Sequence, residues 1–373
     1  MRGTPMNKQD ALRQLSEEKV LPLLGDCLRE AELEFLHNRQ RLTEQLKASF
    51  AALCRQASDM QQRSQKAPIA YIHYSMLRTS LLDQSFTYLL AADSREFYFD
   101  EAECAVTYDA GWAYRSYSRL LAELERESKK YMGLLSGADA ERLALECAPA
   151  FDQYVTALLR TAMPELVKVP EFAALDKADR LQIRTGELMD RGEILYWEEK
   201  QAGEAEKIQA LLESDEGDRG RLAYAHFRSL SLTGQSFNGK KMPYSDFSRG
   251  YLSFCRFVEC NLVGTSWRGA NLNGAEFRGS LLTDADFTDS GLQGAVFVNI
   301  GRLEPLDSIY RLPGLLGLRF DRARLDGADF TAAGLNGRVS FHEASLEGTR
   351  FRALDREKLD LSEEQAGSVH WIE

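Results

Sequence analysis

From Phe227 to Phe297 every fifth residue is a large apolar side chain, fifteen in succession, with aromatic alternating with aliphatic. The run is Phe227, Leu232, Phe237, Met242, Phe247, Leu252, Phe257, Leu262, Trp267, Leu272, Phe277, Leu282, Phe287, Leu292 and Phe297. A period of five matches neither the two-residue alternation of a strand nor the 3.6-residue turn of a helix. This half of the chain must therefore wind as a solenoid with a five-residue unit.

Two residues before each large side chain stands a second, mostly small series, among them Ala225, Ser245, Gly250, Cys255, Cys260, Thr265, Ala270, Ala275, Ser280, Ala285, Ser290 and Ala295. One large and one small inward position per unit is what a narrow coil can hold, so the remaining positions face water. After Phe297 the pattern resumes at Phe320, Leu325, Phe330 and Leu335. It slips by one residue through Asn336 and Gly337 and continues at Phe341, Leu346 and Phe351. Those large residues are the expected repeat core. At the start, Leu230, Gln235 and Lys240 stand where small residues are due, as in the atypical end coil of a solenoid.

The triplets Ala270-Asn271-Leu272, Ala285-Asp286-Phe287 and Ala328-Asp329-Phe330 make this region resemble the pentapeptide-repeat family, whose unit is A(D/N)Lxx. The resemblance covers about the last 150 residues. It implies a right-handed, quadrilateral β-helix with four pentapeptides per coil, so that like side chains stack on one another from coil to coil. It also implies a bacterial protein of the interaction or scaffolding kind. Some family members, the quinolone-resistance proteins, mimic duplex DNA and shield a type II topoisomerase.

Charge bears on that last possibility. The formal net charge is −11, yet residues 221–373 hold 18 Lys and Arg against 19 Asp and Glu, leaving 28 against 38 in the first 220. A nearly neutral rod lacks the field on which mimicry of DNA depends, and the acidic N-terminal half disfavours direct nucleic acid binding. Mimicry is thus the second reading, behind a non-catalytic protein-binding scaffold with an unknown protein partner.

The first half reads as a helical bundle. No Gly or Pro occurs between Asp26 and Lys66, and Leu28, Ala31, Phe35, Leu42, Leu46, Phe50, Leu53, Ala57 and Met60 recur at helical spacing. Further helices are expected over 69–92, 115–135, 138–163 and 177–212, with interruptions at Pro149, Gly186 and Gly192. The charged stretch Glu213 to Asp218 sets the domain boundary, giving a helical domain at 1–215 and a β-helix at 216–361. Residues 362–373, opening on the capping box Ser362-Glu363-Glu364-Gln365, form a C-terminal cap or a dimerisation tail. The long N-terminal helix is a second candidate for joining two chains.

Candidate chemistry is sparse. His37, His73, His226, His342 and His370 are scattered without ligand spacing, so no metal is expected. No phosphate-binding glycine loop, cofactor motif or nucleophile elbow occurs, and no catalytic residue is assigned. The acidic run Asp100, Glu101 and Glu103 beside Cys104 reads as a solvated loop. Aromatics crowd the stretch from Tyr71 to Tyr117, and they read as core first and as an enzyme pocket only as a third functional reading. Six cysteines without a CxxC pair read as buried thiols of a reducing cytoplasm. Met1 to Leu15 shows no apolar stretch of the signal-peptide kind, and no run is apolar enough to cross a membrane.

The strongest functional candidate is the insertion at 298–317, which interrupts the repeat with 18 added residues and carries Leu303, Leu306, Ile309, Tyr310, Leu312, Leu315 and Leu316. Long loops on rigid scaffolds commonly carry recognition. Ile309, Tyr310, Leu312, Leu315 and Leu316 are therefore the candidate partner-binding residues, with packing against the chain itself as the competing expectation.

Overall fold

The structure is a computed structural model that describes residues 6–190, 192–199, 222–300, 315–335 and 338–373. Contacts divide the chain into two compact units, Met1–Lys200 and Gln201–Glu373. The charged stretch at 213–218, on which the expected boundary rests, lies outside the described residues.

In the first unit, helix α1 (Lys8–Leu15) starts where the Asn7 side chain accepts the Asp10 N–H at 3.0 Å. After one π-helical turn, α2 runs from Leu21 to Gln62, 42 residues, with Pro22 in its first turn where a missing N–H costs nothing. Its buried stripe includes Ala31, Phe35, Leu42, Leu46, Phe50, Leu53 and Ala57, as the spacing predicts. Helix α2 packs on α5 (Gly137–Leu166), which begins at a reciprocal Ser136–Asp139 capping box and continues through Pro149.

The unit is not a helical bundle. Five strands, β1 (Ile69–Met76), β2 (Thr87–Asp93), β3 (Ala105–Asp109), β4 (Lys177–Glu187) and β5 (Glu193–Glu199), form a sheet in the order β3-β2-β1-β4-β5. Only the β1–β4 pair is parallel, and α2 and α5 pack against the sheet. The expected helix at 69–92 is thus two strands joined by the short helix α3 (Arg78–Leu82) and a turn in which Gln84 and Phe86 take positive φ. Strand β1 is buried along nearly its whole length, which erases the alternation that would have marked it. The helix expected from 177 is the β4–β5 hairpin as far as Glu199, and residues beyond it are not described. Gly192 at φ +58° makes the turn, where an added Cβ would meet the Thr185 carbonyl oxygen at 2.7 Å.

In the second unit the pentapeptides are joined by parallel bridges, twenty residues apart from His226 with Asp246 through Glu276 with Val296, and thirty-three apart across the excursion, as Asp286 with Arg319. Four pentapeptides therefore separate stacked positions. Backbone bonds run between coils in pairs, for example from Phe247 N–H to Ser266 O at 2.8 Å and from Ser266 N–H to Ser245 O at 2.9 Å. The inward series forms columns of its own kind. Phe247 stacks on Trp267 at 4.5 Å, Phe257 on Phe277 at 5.2 Å, and Phe277 on Phe297 at 5.1 Å, while neighbouring columns meet edge to face, as Phe277 meets Phe287 at 5.4 Å. Both geometries suit the ring quadrupole.

All the expected core residues from Phe247 to Phe351 are buried except Leu335, which is half-buried beside the one-residue slip. The small series does more than fit. Ser245, Cys255, Cys260 and Ser280 each reach a carbonyl of the preceding coil, those of Leu222, Leu232, Phe237 and Phe257. At the start of the array Gln235 is exposed and Lys240 half-buried.

The tail closes the other end. Strand β11 (His370–Ile372) pairs in parallel with β10 (Arg350–Arg352), and Trp371 lies 6.1 Å from Phe351. The expected Ser362–Gln365 capping box is present, and Gln365 Nε2 donates to the Phe341 and Ala344 carbonyls at 2.7 and 2.9 Å. The tail therefore covers the last coil of its own chain.

Candidate functional site

Of the five candidate partner-binding residues, Ile309, Tyr310 and Leu312 lie outside the described residues. Leu315 and Leu316 are described, and they belong to the rod. Leu315 is buried and stands five residues before Phe320, so it resumes the inward register that Phe297 appears to break. Leu316 and Gly317 donate their N–H groups to Asp284 Oδ1 at 2.9 and 2.7 Å, and Arg338 Nη1 donates to the Leu315 carbonyl at 3.1 Å. The return stem is thus locked to the coils on either side of it, and Leu315 is withdrawn as a binding residue.

Asp284 has no mark in the sequence that foretells this role. It occupies the corner position held by Gly264 one coil earlier, at a φ of 59° that Tyr244, Arg249, Glu259 and other non-glycine corners share. What distinguishes it is its carboxylate, which anchors the stem.

Several acidic residues of the rod are matched by neighbouring guanidinium groups. Asp286 is buried, which works against its charge, but Arg319 and Arg268, with Thr288, outweigh burial and hold its pKa below the ordinary value. Asp289 takes a two-pronged bond from Arg322 at 2.7 and 2.9 Å, Glu276 pairs with Arg278 at 2.7 Å, and Asp329 with Arg350 at 3.2 Å.

In the first unit, Tyr74, Tyr88, Tyr108, Trp112, Tyr114 and Tyr117 of the aromatic stretch are buried. Tyr88 donates to Asp152 Oδ1 at 2.5 Å and meets Tyr114 Oη at 3.0 Å, while Trp112 Nε1 donates to Tyr108 Oη at 2.9 Å. These rings fill the core, and the polar tips of Tyr88 and Tyr114, and of Tyr108 and Trp112, meet one another. Asp100 does not sit in an open acidic loop, because the fully buried Lys66 ammonium lies 2.8 Å from it. Burial works against the Asp100 carboxylate. The Lys66 ammonium and the N–H groups of Ser94 and Ala102 more than offset it and hold the pKa at about 2. Nearby, burial first and Arg184 second push the His73 imidazole down to about 4, so its 3.6 Å approach to Asp93 is not an ion pair at neutral pH. Burial lifts Asp93 to about 6, against the pull of Lys66.

Residues 251–299 match the pentapeptide repeats in eight copies. This segment is a pentapeptide-repeat array. Three solved structures resemble the array at low identity. A pentapeptide repeat protein from the Arabidopsis thaliana thylakoid lumen is 20% identical over 37% of this chain and 73% of its own, with a TM-score of 0.15. QnrB1, a plasmid-mediated fluoroquinolone resistance protein, is 17% identical over 41% and 83%, with a TM-score of 0.19. HetL, a pentapeptide repeat protein involved in heterocyst differentiation regulation in the cyanobacterium Nostoc, is 16% identical over 40% and 65%, with a TM-score of 0.16. No curated protein matches the chain. Among the described residues no helix is long and apolar enough to cross a membrane, and none of their His, Cys, Asp and Glu side chains gather in threes to hold a metal ion.

Proposed function

We propose that the chain is a non-catalytic interaction or scaffolding protein of the bacterial cytoplasm. Its second unit would be a right-handed, four-sided β-helix that presents the excursion between Ile300 and Leu315 to a protein partner. One observation carries the reading: the rod closes without that excursion. Phe297 stacks directly on Phe330 at 4.5 Å, and Leu315 restores the register. Leu303, Leu306, Ile309, Tyr310 and Leu312 are therefore not needed to fill the coil. Long connections on a rigid scaffold commonly carry recognition. The burial of Tyr74, Tyr88, Tyr108, Trp112, Tyr114 and Tyr117 in the first unit supports a core role for them over an enzyme pocket there.

Mimicry of DNA remains the second reading and ranks lower, because Asp286, Asp289 and Glu276 are paired with arginines and so project little negative field. Deleting residues 301–313 tests the first reading. Full-length protein should capture a partner from its host that the shortened protein does not, and equal capture by both would reject it. Protection of gyrase from a fluoroquinolone, lost on charge reversal at Asp286 and Asp289, would move mimicry ahead.

A further inference from the structure

The outward positions around the Leu232, Leu252, Leu272 and Leu292 column differ from every other part of the rod. From Ser231 to Gly294 they carry no charged residue: Ser231, Thr233 and Gly234 in the first coil, Tyr251, Ser253 and Phe254 in the second, Asn271, Asn273 and Gly274 in the third, Gly291, Gln293 and Gly294 in the fourth. Each of the other columns carries charge over the same coils, as Arg228 with Asp246, Arg256 with Glu259, and Lys241 with Asp284 show. The strip's own residues are uncharged; charges return to this column at Arg324 and Asp326, and the Arg324 guanidinium reaches back to the strip's end, 3.5 Å from where a Cβ on Gly291 would stand.

Within the neutral strip stand two aromatic side chains open to solvent, Tyr251 at 58% and Phe254 at 68% exposure. Phe254 covers the Gly274 corner with one edge of its ring, Cδ1 and Cε1 lying 2.6 and 2.7 Å from where a Cβ would stand. Most of the ring is open to solvent. The amides beside it are fixed. Asn271 Oδ1 accepts the Ser253 hydroxyl at 2.9 Å and the Asn273 N–H at 3.3 Å, and Asn273 Oδ1 accepts the Gln293 N–H at 3.1 Å. Backbone N–H groups can only donate, so the amide oxygens face the ladder and the amide nitrogens point away from it.

Flat aromatic faces beside oriented neutral donors, on a strip without charge, suit a ligand that is itself neutral, carries apolar C–H faces and is rich in hydroxyl acceptors. Nucleic acid and anionic lipid would need cations here. A protein partner would be expected to find a charged rim and arginine anchors. We propose that this strip binds a neutral linear glycan, with Tyr251 and Phe254 as stacking platforms and the Asn271 and Asn273 side-chain amides as donors to sugar hydroxyls. The proposal uses none of the residues of the binding-scaffold reading and does not depend on it.

The test is titration of the full chain with maltoheptaose, cellohexaose and chitohexaose, read by calorimetry. At least one should bind, and Tyr251→Ala and Phe254→Ala should each weaken it up to about tenfold, as the loss of one aromatic stack implies. Asn273→Asp, which turns a donor into a charge at a half-buried position, should weaken it too, while Leu354→Ala, an exposed residue off the strip, should not. Melting curves equal to the parent's separate these effects from unfolding. Failure of all three glycans to bind at millimolar concentration, or binding indifferent to Tyr251→Ala and Phe254→Ala, overturns the proposal. Either result leaves partner capture through residues 301–313 to be judged on its own.

Discussion

The ring of Phe330 lies on that of Phe297, 4.5 Å away and within 7° of parallel; stacked rings up to Phe297 are twenty residues apart, whereas this pair, like Phe287 and Phe320, is thirty-three apart. The difference, thirteen residues, is the true size of the excursion, because Leu315 already belongs to the next coil.

Removing residues 301–313 should therefore leave the rod intact. It places Leu315 five residues after Phe297, the normal step, and stability in a repeat array is mostly a nearest-neighbour matter. Circular dichroism should show a melting temperature within a few degrees of the parent. Removing 298–317 instead takes away Leu315 and Ile300, both buried, and should cost about 2 to 5 kcal/mol for each large side chain lost.

Phe277 is fully buried between Phe257 and Phe297, at 5.2 and 5.1 Å, with Trp267 and Phe287 edge-on. Phe277→Ala should destabilise by about 3 to 5 kcal/mol, measured by denaturant titration. A rod that melts as the parent does would remove the argument that this column holds the coils together.

Two buried groups on the sheet of the first unit make opposite contributions to pH dependence. His73, held neutral with a pKa near 4, contributes stability that is present above its unfolded value of 6.5 and is lost as pH falls towards 4. Asp93, raised to about 6, contributes stability present below its unfolded value of 3.8 and lost as pH rises through 6. Asp93→Asn should thus melt higher than the parent at pH 8, with the gap closing by pH 4. A gap that is independent of pH would show that the Asp93 carboxyl is ordinary.

The rod was legible because a five-residue period has no competing explanation, and every inward Phe of the run is where the count puts it. The tail was legible for a similar reason, since Ser362 and Gln365 spell a helix start that the chain then uses. The sheet was not. His73 and Ser75 on one side of β1 are as enclosed as Ile72, Tyr74 and Met76 on the other, with Tyr71 alone half-buried, so burial along the strand shows no period of two. In β4 the alternation of Leu181, Ile183 and Thr185 with Gln182 and Arg184 was present but was outweighed by the helix-favouring Lys, Arg, Glu and Leu around it. Tertiary pairing decided both segments. Of the candidate site, the sequence located the interruption but overcounted it, because Leu315 was read as loop rather than as the next inward residue.

Lys66 and Asp100 form the most enclosed ion pair described in the first unit, with the ammonium also donating to the Ala102 carbonyl. Lys66→Ala leaves a buried carboxylate uncompensated and should cost about 3 to 5 kcal/mol. Lys66→Met with Asp100→Asn removes both charges and should recover most of that loss. Amide exchange across residues 94–104 should speed up in the single variant and much less in the double. Equal exchange in parent and single variant would mean the pair does not hold the loop.

The last coil depends on the tail in the same way that the inner coils depend on one another. Strand β11 satisfies the outer edge of β10, Trp371 lies against Phe351, and Gln365 takes up two carbonyls that would otherwise be open. A chain ending at Leu361 would expose Phe351 together with a row of unpaired backbone groups, which invites pairing with another chain. The truncated protein should melt lower than the parent and show a mass in light scattering that grows with concentration. Trp371→Ala should give the lower melting temperature with less association, because β11 would still cover the edge. If instead the full chain is a dimer and truncation returns it to a monomer, the tail joins two chains as well as covering one.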